Sequence, residues 1–93
     1  MTQFLTRIEL HSATAEDYEK LAKAMLFRNF KKFILSVDGQ SYRLPTAEYL
    51  YEGEITLTEV RDLARDAATS TGRESWVLTV ESKGAAWFLP LGS

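Results

Sequence analysis

The spacing of hydrophobic residues divides the first part of the chain into a strand and a helix. Residues 4–10 alternate between hydrophobic and polar positions, which predicts a half-buried strand. From Tyr18 onward the hydrophobic residues recur at helical spacing, so we predict a helix over residues 15–28. Thr14 and Asp17 have the spacing of a capping box, which places the beginning of this helix.

The middle of the chain contains two further strand patterns joined by a turn. Residues 32–37 predict a second strand, and Asp38 followed by Gly39 is a strong turn signal. Residues 41–51 alternate and are rich in tyrosine, which predicts one continuous third strand. Pro45 lies inside this pattern. Because proline has no N–H for a ladder, we expect it at a bulge or beyond the paired region, close to where the first strand ends.

The last part of the chain predicts a second helix and one or two strands. Thr56 and Glu59 make a capping box for the helix, which ends at Gly72. Residues 76–82 predict a fourth strand. A short fifth strand over residues 85–89 is a further prediction.

This βαββαβ order predicts a single ferredoxin-like α+β domain over residues 1–93. Its sheet would be antiparallel, with both helices on one face. Right-handed crossovers would put the first and third strands in the centre and the second and fourth strands at the edges. One end of that sheet would then form a rim that collects His11, Ser12, Asp38, Tyr42, Arg43, Arg73 and Glu74.

Composition narrows the protein class. Hydrophobic residues make up 45% of the chain and charged residues 26%, as in an ordinary globular domain. There is no cysteine, and no apolar run approaches the ~20 residues of a membrane span. The segment MTQFLTRIEL lacks the long apolar stretch of a signal peptide, so we expect a cytoplasmic protein with no membrane partner. No phosphate loop, dinucleotide fingerprint, nucleophile elbow or metal-ligand pair is present, so we expect no cofactor and no metal.

The charge distribution is uneven although the net charge is only −2. Residues 20–37, the basic segment, contain five basic residues and no acid, which leaves −7 for the rest of the chain. The basic residues of this segment are Lys20, Lys23, Arg28, Lys31 and Lys32. Arg28, Lys31 and Lys32 are interleaved with the phenylalanines of FRNFKKF, a pattern that suits single-stranded nucleic acid. The simpler interpretation, which we favour, is a core of phenylalanines beside a solvated helix end.

Four residues of the predicted rim are candidates for chemistry. His11 is the one histidine and is suited to general acid–base catalysis, unless it is only a solvated loop residue. Asp38 is a candidate base, although an Asp-Gly turn explains it equally well. Arg43 and Arg73 suit bidentate phosphate binding, or ion pairs with neighbouring glutamates.

Aromatic residues on the open sheet face and in the tail AAWFLPL predict a homodimer surface. The residues assigned to it are Tyr49, Tyr51, Trp87 and Phe88. The alternative is that the tail closes the core of its own chain.

The motifs TRIELH, YRLPTAEYLY after the Asp-Gly turn, and STGRESWVLTVESKG near the end carry a resemblance to a known family. On these residues the chain resembles the GhoS-type endoribonuclease antitoxins of type V toxin–antitoxin systems, most of all their uncharacterised short bacterial members. The likeness covers nearly the whole chain. It implies a ferredoxin-like fold, similar to small CRISPR-associated nucleases that work as homodimers.

The resemblance also implies a function, which is the cleavage of single-stranded RNA. The implied basic contact lies on the first helix, where this chain has Lys20, Lys23 and Arg28 but Ala22 in mid-helix. The CRISPR-type relatives have an acid at the end of the first strand, where this chain has His11. We therefore expect an antitoxin-like RNA-binding protein that acts as a sequence-selective endoribonuclease. The rival hypothesis is a non-catalytic dimeric interaction module.

Overall fold

The computed structural model describes residues 1–92 and shows two helices and five short strands. The elements are β1 (Gln3–Leu10), α1 (Ala15–Phe27), β2 (Phe33–Leu35), β3 (Ser41–Arg43), β4 (Glu48–Glu52), α2 (Leu57–Thr69) and β5 (Ser75–Ser82). Every strand pairing is antiparallel, which confirms the α+β class. Within residues 1–92 no helix has the length and apolar character that crossing a membrane requires.

The main sheet has three strands with β1 in the middle, in the order β4-β1-β5. Thr6 at its centre lies opposite Tyr49 of β4 and Thr79 of β5. β1 therefore has the predicted central position and β5 the predicted edge position, whereas the third predicted strand, expected in the centre, contributes β4 as the other edge of this sheet. The side chains of β1 alternate as the sequence indicates, since every second residue from Phe4 to Leu10 is buried.

Both helices pack on one face of this sheet through small and aliphatic residues. Leu21 and Met25 of α1 and Val60 and Ala64 of α2 are fully buried against β1. Each helix begins with the predicted capping box, because the Thr14 and Thr56 side chains both accept from the third helical N–H. The helices thus cover one face and leave the other for different contacts.

The prediction of one continuous strand over residues 41–51 is wrong, because Pro45 splits it into β3 and β4. Pro45 has no N–H for a ladder, and Ala47 adopts a left-handed backbone with φ 68°. The intervening loop is tied instead by the N–H of Ile8, which donates to the carbonyl of Ala47 at 3.0 Å. Pro45 therefore lies beyond the paired region, as expected, but the break has a larger consequence for the topology.

That consequence is that the ferredoxin-like strand order is not formed as a single sheet. β2 and β3 make a separate two-stranded sheet, and β2 spans only Phe33–Leu35 rather than residues 32–37. One isolated bridge between Lys31 and Leu50 joins this region to β4. The loop around Pro45 redirects the chain after β3, so β2 and β3 are free to turn away from the main sheet.

Residues 85–89 do not form the predicted fifth strand. The tail folds back instead, and Trp87 and Leu89 pack on a second small core of Ile34, Leu44 and Leu50. Up to residue 92, the tail has one β-bridge, between Tyr42 and Leu91. The alternative interpretation, in which the tail closes the core, therefore describes Trp87 and Leu89.

Candidate nucleic-acid interface

An open cleft of about 670 Å³ lies where α2, the loop after it and the start of β5 meet. We call it the arginine cleft, after Arg61, Arg65 and Arg73. The complete lining is His11, Arg61, Arg65, Thr69, Arg73, Glu74, Ser75, Trp76 and Val77. Three guanidinium groups and an imidazole therefore surround one depression on a chain whose net charge is −2.

Two of the arginines come from one turn of α2. Arg61 and Arg65 are four residues apart, which puts both on the same side of the helix, away from the buried Val60 and Ala64. Arg61 pairs with its neighbour Asp62 at 2.9 Å, in a contact that is half exposed and therefore weak. Arg65 has no ion pair with any residue from 1 to 92. Its guanidinium is the least committed charge in the cleft.

The third arginine has a structural role as well. Arg73 Nε donates to Asp17 Oδ2 at 2.8 Å, and this carboxylate is only 8% exposed. The Asp17 carboxylate also accepts from the backbone N–H of Thr14, and this bond and the Arg73 guanidinium keep the pKa of Asp17 below its ordinary value. Arg73 thus ties the start of α1 to the loop before β5, and only the rest of its guanidinium faces the cleft.

His11 lies at one end of the cleft in a defined orientation. Its backbone N–H donates to the carbonyl of Glu74 at 2.8 Å, which continues the pairing of β1 with β5 by one residue. Its Nε2 is 3.4 Å from Glu9 Oε2, and its ring meets the edge of Trp76 with centroids 4.5 Å apart. The ring is therefore held from two sides, with Nδ1 left for another partner.

Chemically, this arrangement suits a phosphodiester chain with unstacked bases. Guanidinium groups bind phosphate oxygens with short charge-assisted hydrogen bonds. Trp76 is 69% exposed and is one of the residues that line the same cleft. Aromatic stacking beside a cationic groove is how proteins hold single-stranded nucleic acids. The described part of the chain has no cluster of three histidine, aspartate or glutamate residues for a metal ion.

Of the predicted rim, His11, Arg73 and Glu74 meet in the cleft, but Asp38 and Arg43 do not line it. The Asp38 carboxylate accepts from the Ser36 hydroxyl and from the Gln40 N–H, and these bonds lower its pKa. The contacts of Asp38 are therefore those of a turn residue. Arg43 is an exposed residue of β3 and sits in the second sheet. The predicted catalytic group of three is not brought together.

The predicted RNA-binding cations of the basic segment are mostly engaged within the fold. Arg28 Nη1 donates to the carbonyl of Ala24 at 3.0 Å and so caps the end of α1. Lys31 Nζ pairs with Glu52 at 2.8 Å. Lys23 is exposed on α1. Only part of the simpler interpretation holds: Phe30 is buried, but Phe27 is 85% and Phe33 is 36% exposed. Arg28 and Lys31 bond local acceptors and so do not form a solvated helix end.

Lys32 is the clearest case of a basic residue with structural contacts. Its ammonium donates to the carbonyls of Pro45 and Glu48 at 2.7 and 2.9 Å. It also lies 4.3 Å above the Tyr49 ring. Burial, and the nearby Arg43 cation, lower the pKa of Lys32 to about 8. Lys32 therefore fastens the loop around Pro45 rather than presenting its charge to solvent.

The four aromatic residues assigned to a dimer surface lie in different environments. Tyr49 is 2% exposed within the main core, so its side chain offers no surface to a partner. Tyr51 packs against the same core, and Trp87 stacks at 5.7 Å on Tyr42 in the second one. Phe88 is fully exposed. The assignment of Tyr49 is thus corrected, because β4 turns this ring toward the helices.

Three residues of the cleft were missed by the sequence analysis: Arg61, Arg65 and Trp76. The spacing of the two arginines, four apart and beside the aliphatic face of the second helix, is a signal that could have found them. Trp76 was recognised as a strand residue, but alternation alone does not say which side of a strand meets the helices. Val77, not Trp76, packs on the core.

Comparison with known proteins does not add to this picture. A scan against protein-family models gives no match, and a search of curated proteins gives none either.

Proposed function

We propose that this protein binds single-stranded RNA in the arginine cleft. Arg61 and Arg65 hold neighbouring phosphates, and a base stacks on Trp76. The resemblance to RNA-cleaving antitoxins points to the same class of ligand, and its motifs TRIELH and STGRESWVLTVESKG include the cleft residues His11 and Arg73.

The observation that supports this proposal most is that Trp76 and the three arginines line one cleft. Trp76 is an exposed residue of an edge strand, and it lines the same cleft as the three arginines. A purely structural cluster would pair each arginine with an acid, as Arg73 is paired with Asp17. Arg65 is not paired in this way, so its charge is available to a phosphate.

The same cleft contains one group suited to acid–base catalysis. In cleavage by internal attack, the RNA 2′-hydroxyl bonds to the adjacent phosphorus and the bond from phosphorus to the 5′-oxygen breaks. His11 takes the 2′-hydroxyl proton on Nδ1, since Nε2 faces Glu9. The departing 5′-oxygen takes a proton from water, and the products are a cyclic phosphate and a 5′-hydroxyl. We propose this as the reaction of a selective endoribonuclease.

The test measures binding and cleavage of unstructured RNA side by side. Binding is followed by fluorescence anisotropy over a range of salt concentrations, and two phosphate contacts predict a log–log slope of about −1.4. Cleavage is followed with and without EDTA, because transfer of a proton by His11 needs no metal. His11→Ala should abolish cleavage and leave the affinity within about twofold, since the phosphate contacts of this proposal come from Arg61 and Arg65.

Arg43→Ala is the matched control, because Arg43 is an exposed arginine outside the cleft. It should change neither binding nor cleavage. Absence of salt-dependent RNA binding would refute the proposal and leave the interaction module as the better hypothesis. Binding without cleavage by any variant would retain RNA binding and remove the nuclease.

A further inference from the structure

β5 is an edge strand whose outer side pairs with no other strand in residues 1–92. The N–H of His11 donates to the carbonyl of Glu74, which makes these two residues a hydrogen-bonded pair. Counting from Glu74, every second residue of β5 therefore exchanges hydrogen bonds with β1. Because hydrogen-bonding direction alternates along an antiparallel strand, Ser75, Val77, Thr79 and Glu81 direct their N–H and C=O groups outward. β5 therefore offers a regular row of free donors and acceptors.

Nothing in the composition of β5 blocks an incoming strand. Natural edge strands avoid pairing by carrying lysines, prolines or bulges, or by being very short. β5 has eight residues, no proline and no lysine, and its one charge is Glu81 close to the end. Its pairing with β1 runs without a bulge.

The face of β5 opposite the helices is apolar and uncovered. Trp76, Leu78 and Val80 are 69%, 64% and 46% exposed, and they form a stripe along the strand. The tail covers the neighbouring part of this face near Leu5 and Leu50, but it does not cover the stripe.

We propose that β5 pairs with β5 of a second copy of this chain, in an antiparallel dimer with a twofold axis at Leu78. In this register Leu78 lies opposite Leu78 of the second copy, and Trp76 lies opposite Val80. Val77 and Thr79 exchange the free backbone hydrogen bonds. Leu78 is then in a non-hydrogen-bonded pair, where the side chains approach most closely. The apolar stripe is thus complementary to itself.

The charges on the exposed side of α2 indicate that the partner of β5 is a second copy of this chain and not a strand of an unrelated protein. It alternates in charge, with Arg61, Asp62, Arg65 and Asp66 all exposed. An antiparallel arrangement of two α2 helices brings Arg65 opposite Asp62 and Arg61 opposite Asp66. Both pairs share one centre, between residues 63 and 64, so the helix is complementary in charge to its own reversed copy.

The same twofold axis relates the two β5 strands and the two α2 helices. α2 ends just before β5 begins, so the two elements run in opposite directions and pack on each other. The middle of α2, near residue 63, therefore lies over the middle of β5, near residue 78. A closed twofold contact of this kind is isologous, the commonest type among soluble oligomers.

The dimer pairs Arg61 and Arg65 with acids of the second copy and places Trp76 opposite Val80, so it competes with RNA for the arginine cleft. It is tested on the protein alone by sedimentation equilibrium from micromolar to millimolar concentration. Leu78→Lys should raise the dimer Kd by at least about tenfold, because two like charges then face each other on the axis. Leu35→Lys is the matched control, since Leu35 is also a leucine that is 64% exposed but lies on β2. It should leave the Kd unchanged.

Two further readouts identify the surface. Arg65→Asp and Asp62→Arg should each weaken the dimer, and the double variant should restore it. The amide protons of Val77 and Thr79 should exchange more slowly as the dimer fraction rises. A wild-type chain that stays monomeric over the whole range would overturn the proposal. So would equal loss in both lysine variants, or a dimer in which these two amides exchange as fast as in the monomer.

Discussion

The basic segment holds five cations and the arginine cleft holds three arginines, and the two regions use these charges differently. In the basic segment Arg28 bonds a helix carbonyl, Lys31 pairs with Glu52 and Lys32 bonds two loop carbonyls. In the cleft Arg61 has only a weak surface partner, and Arg65 has no ion pair within residues 1–92.

The difference shows that charge density along a sequence does not measure the charge available to a ligand. A cation is available when its nearest acceptors are absent or solvent-exposed, and this is decided by the tertiary contacts. The segment that looks most basic in sequence thus has three of its five cations bonded within the fold. The cleft is assembled from residues that are separated by acids in the sequence, such as Asp62 and Asp66.

The largest expected effect comes from removing the two arginines of α2. Arg61→Ala combined with Arg65→Ala should weaken RNA binding by about a hundredfold, since each charge-assisted hydrogen bond is worth roughly 1.5–3 kcal/mol. Lys20→Ala combined with Lys23→Ala is the control, because it removes the same number of exposed cations from α1. It should weaken binding less than about threefold. Equal losses from the two double variants, measured by anisotropy, would contradict the comparison.

The next effect concerns Arg73, the cleft arginine with a structural partner. Asp17→Asn should lower the free energy of unfolding at pH 7, because the carboxylate that bonds Thr14 and Arg73 loses its charge. The pKa of Asp17 is held below its ordinary value of 3.8 in the folded chain. Its contribution is therefore fully present above about pH 4 and is lost below it, as the pH falls through the lowered pKa of Asp17 in the folded chain.

Urea denaturation of the wild-type chain and of Asp17→Asn between pH 7 and pH 2 measures the contribution of the Asp17 charge. The two stabilities should converge at the acid end of the range. A difference that stays constant with pH would show that the substitution acts through packing instead.

The smallest effect is expected at Lys32. Lys32→Met removes two hydrogen bonds to the loop around Pro45, but it also removes the cost of burying a charge, so we expect a net loss of only about 1 kcal/mol. RNA affinity should not change. The folded chain releases the Lys32 proton near pH 8 and the unfolded chain near 10.5, so wild-type stability relative to the variant should rise across this interval.

Chemical denaturation from pH 7 to 10.5 measures both parts of this prediction. A fall in relative stability over that range would show that the fold favours the charged lysine. Weaker RNA binding by Lys32→Met would place the interface at the basic segment.

The sequence predicts the helices and the β1–β5 pairing because local signals agree there. Capping boxes at Thr14 and Thr56 mark both helix starts, and alternation marks the long strands. It does not predict the split of residues 41–51, because the alternation of tyrosines continues through Pro45. Which sheet each half joins depends on bonds to distant residues, such as that from Ile8 to Ala47.

The site is less predictable than the fold. His11 and Arg73 are found by residue type, since histidine and strand-end arginine are rare enough to stand out. Arg61 and Arg65 are not, because a helix with alternating arginine and aspartate is typical of any solvated surface. Only the packing of α2 beside β5 turns two of these arginines toward Trp76.

The most direct test of the central claim uses the two tryptophans as internal probes. Trp76 is exposed in the arginine cleft, whereas Trp87 is partly buried in the second core. The two indole N–H signals are followed by two-dimensional NMR while an unstructured single-stranded oligouridylate is added. The account predicts a saturable, salt-sensitive shift of the Trp76 signal and an unchanged Trp87 signal. A shift of Trp87 alone, or of neither signal when anisotropy shows binding, would contradict the assignment of RNA to this cleft.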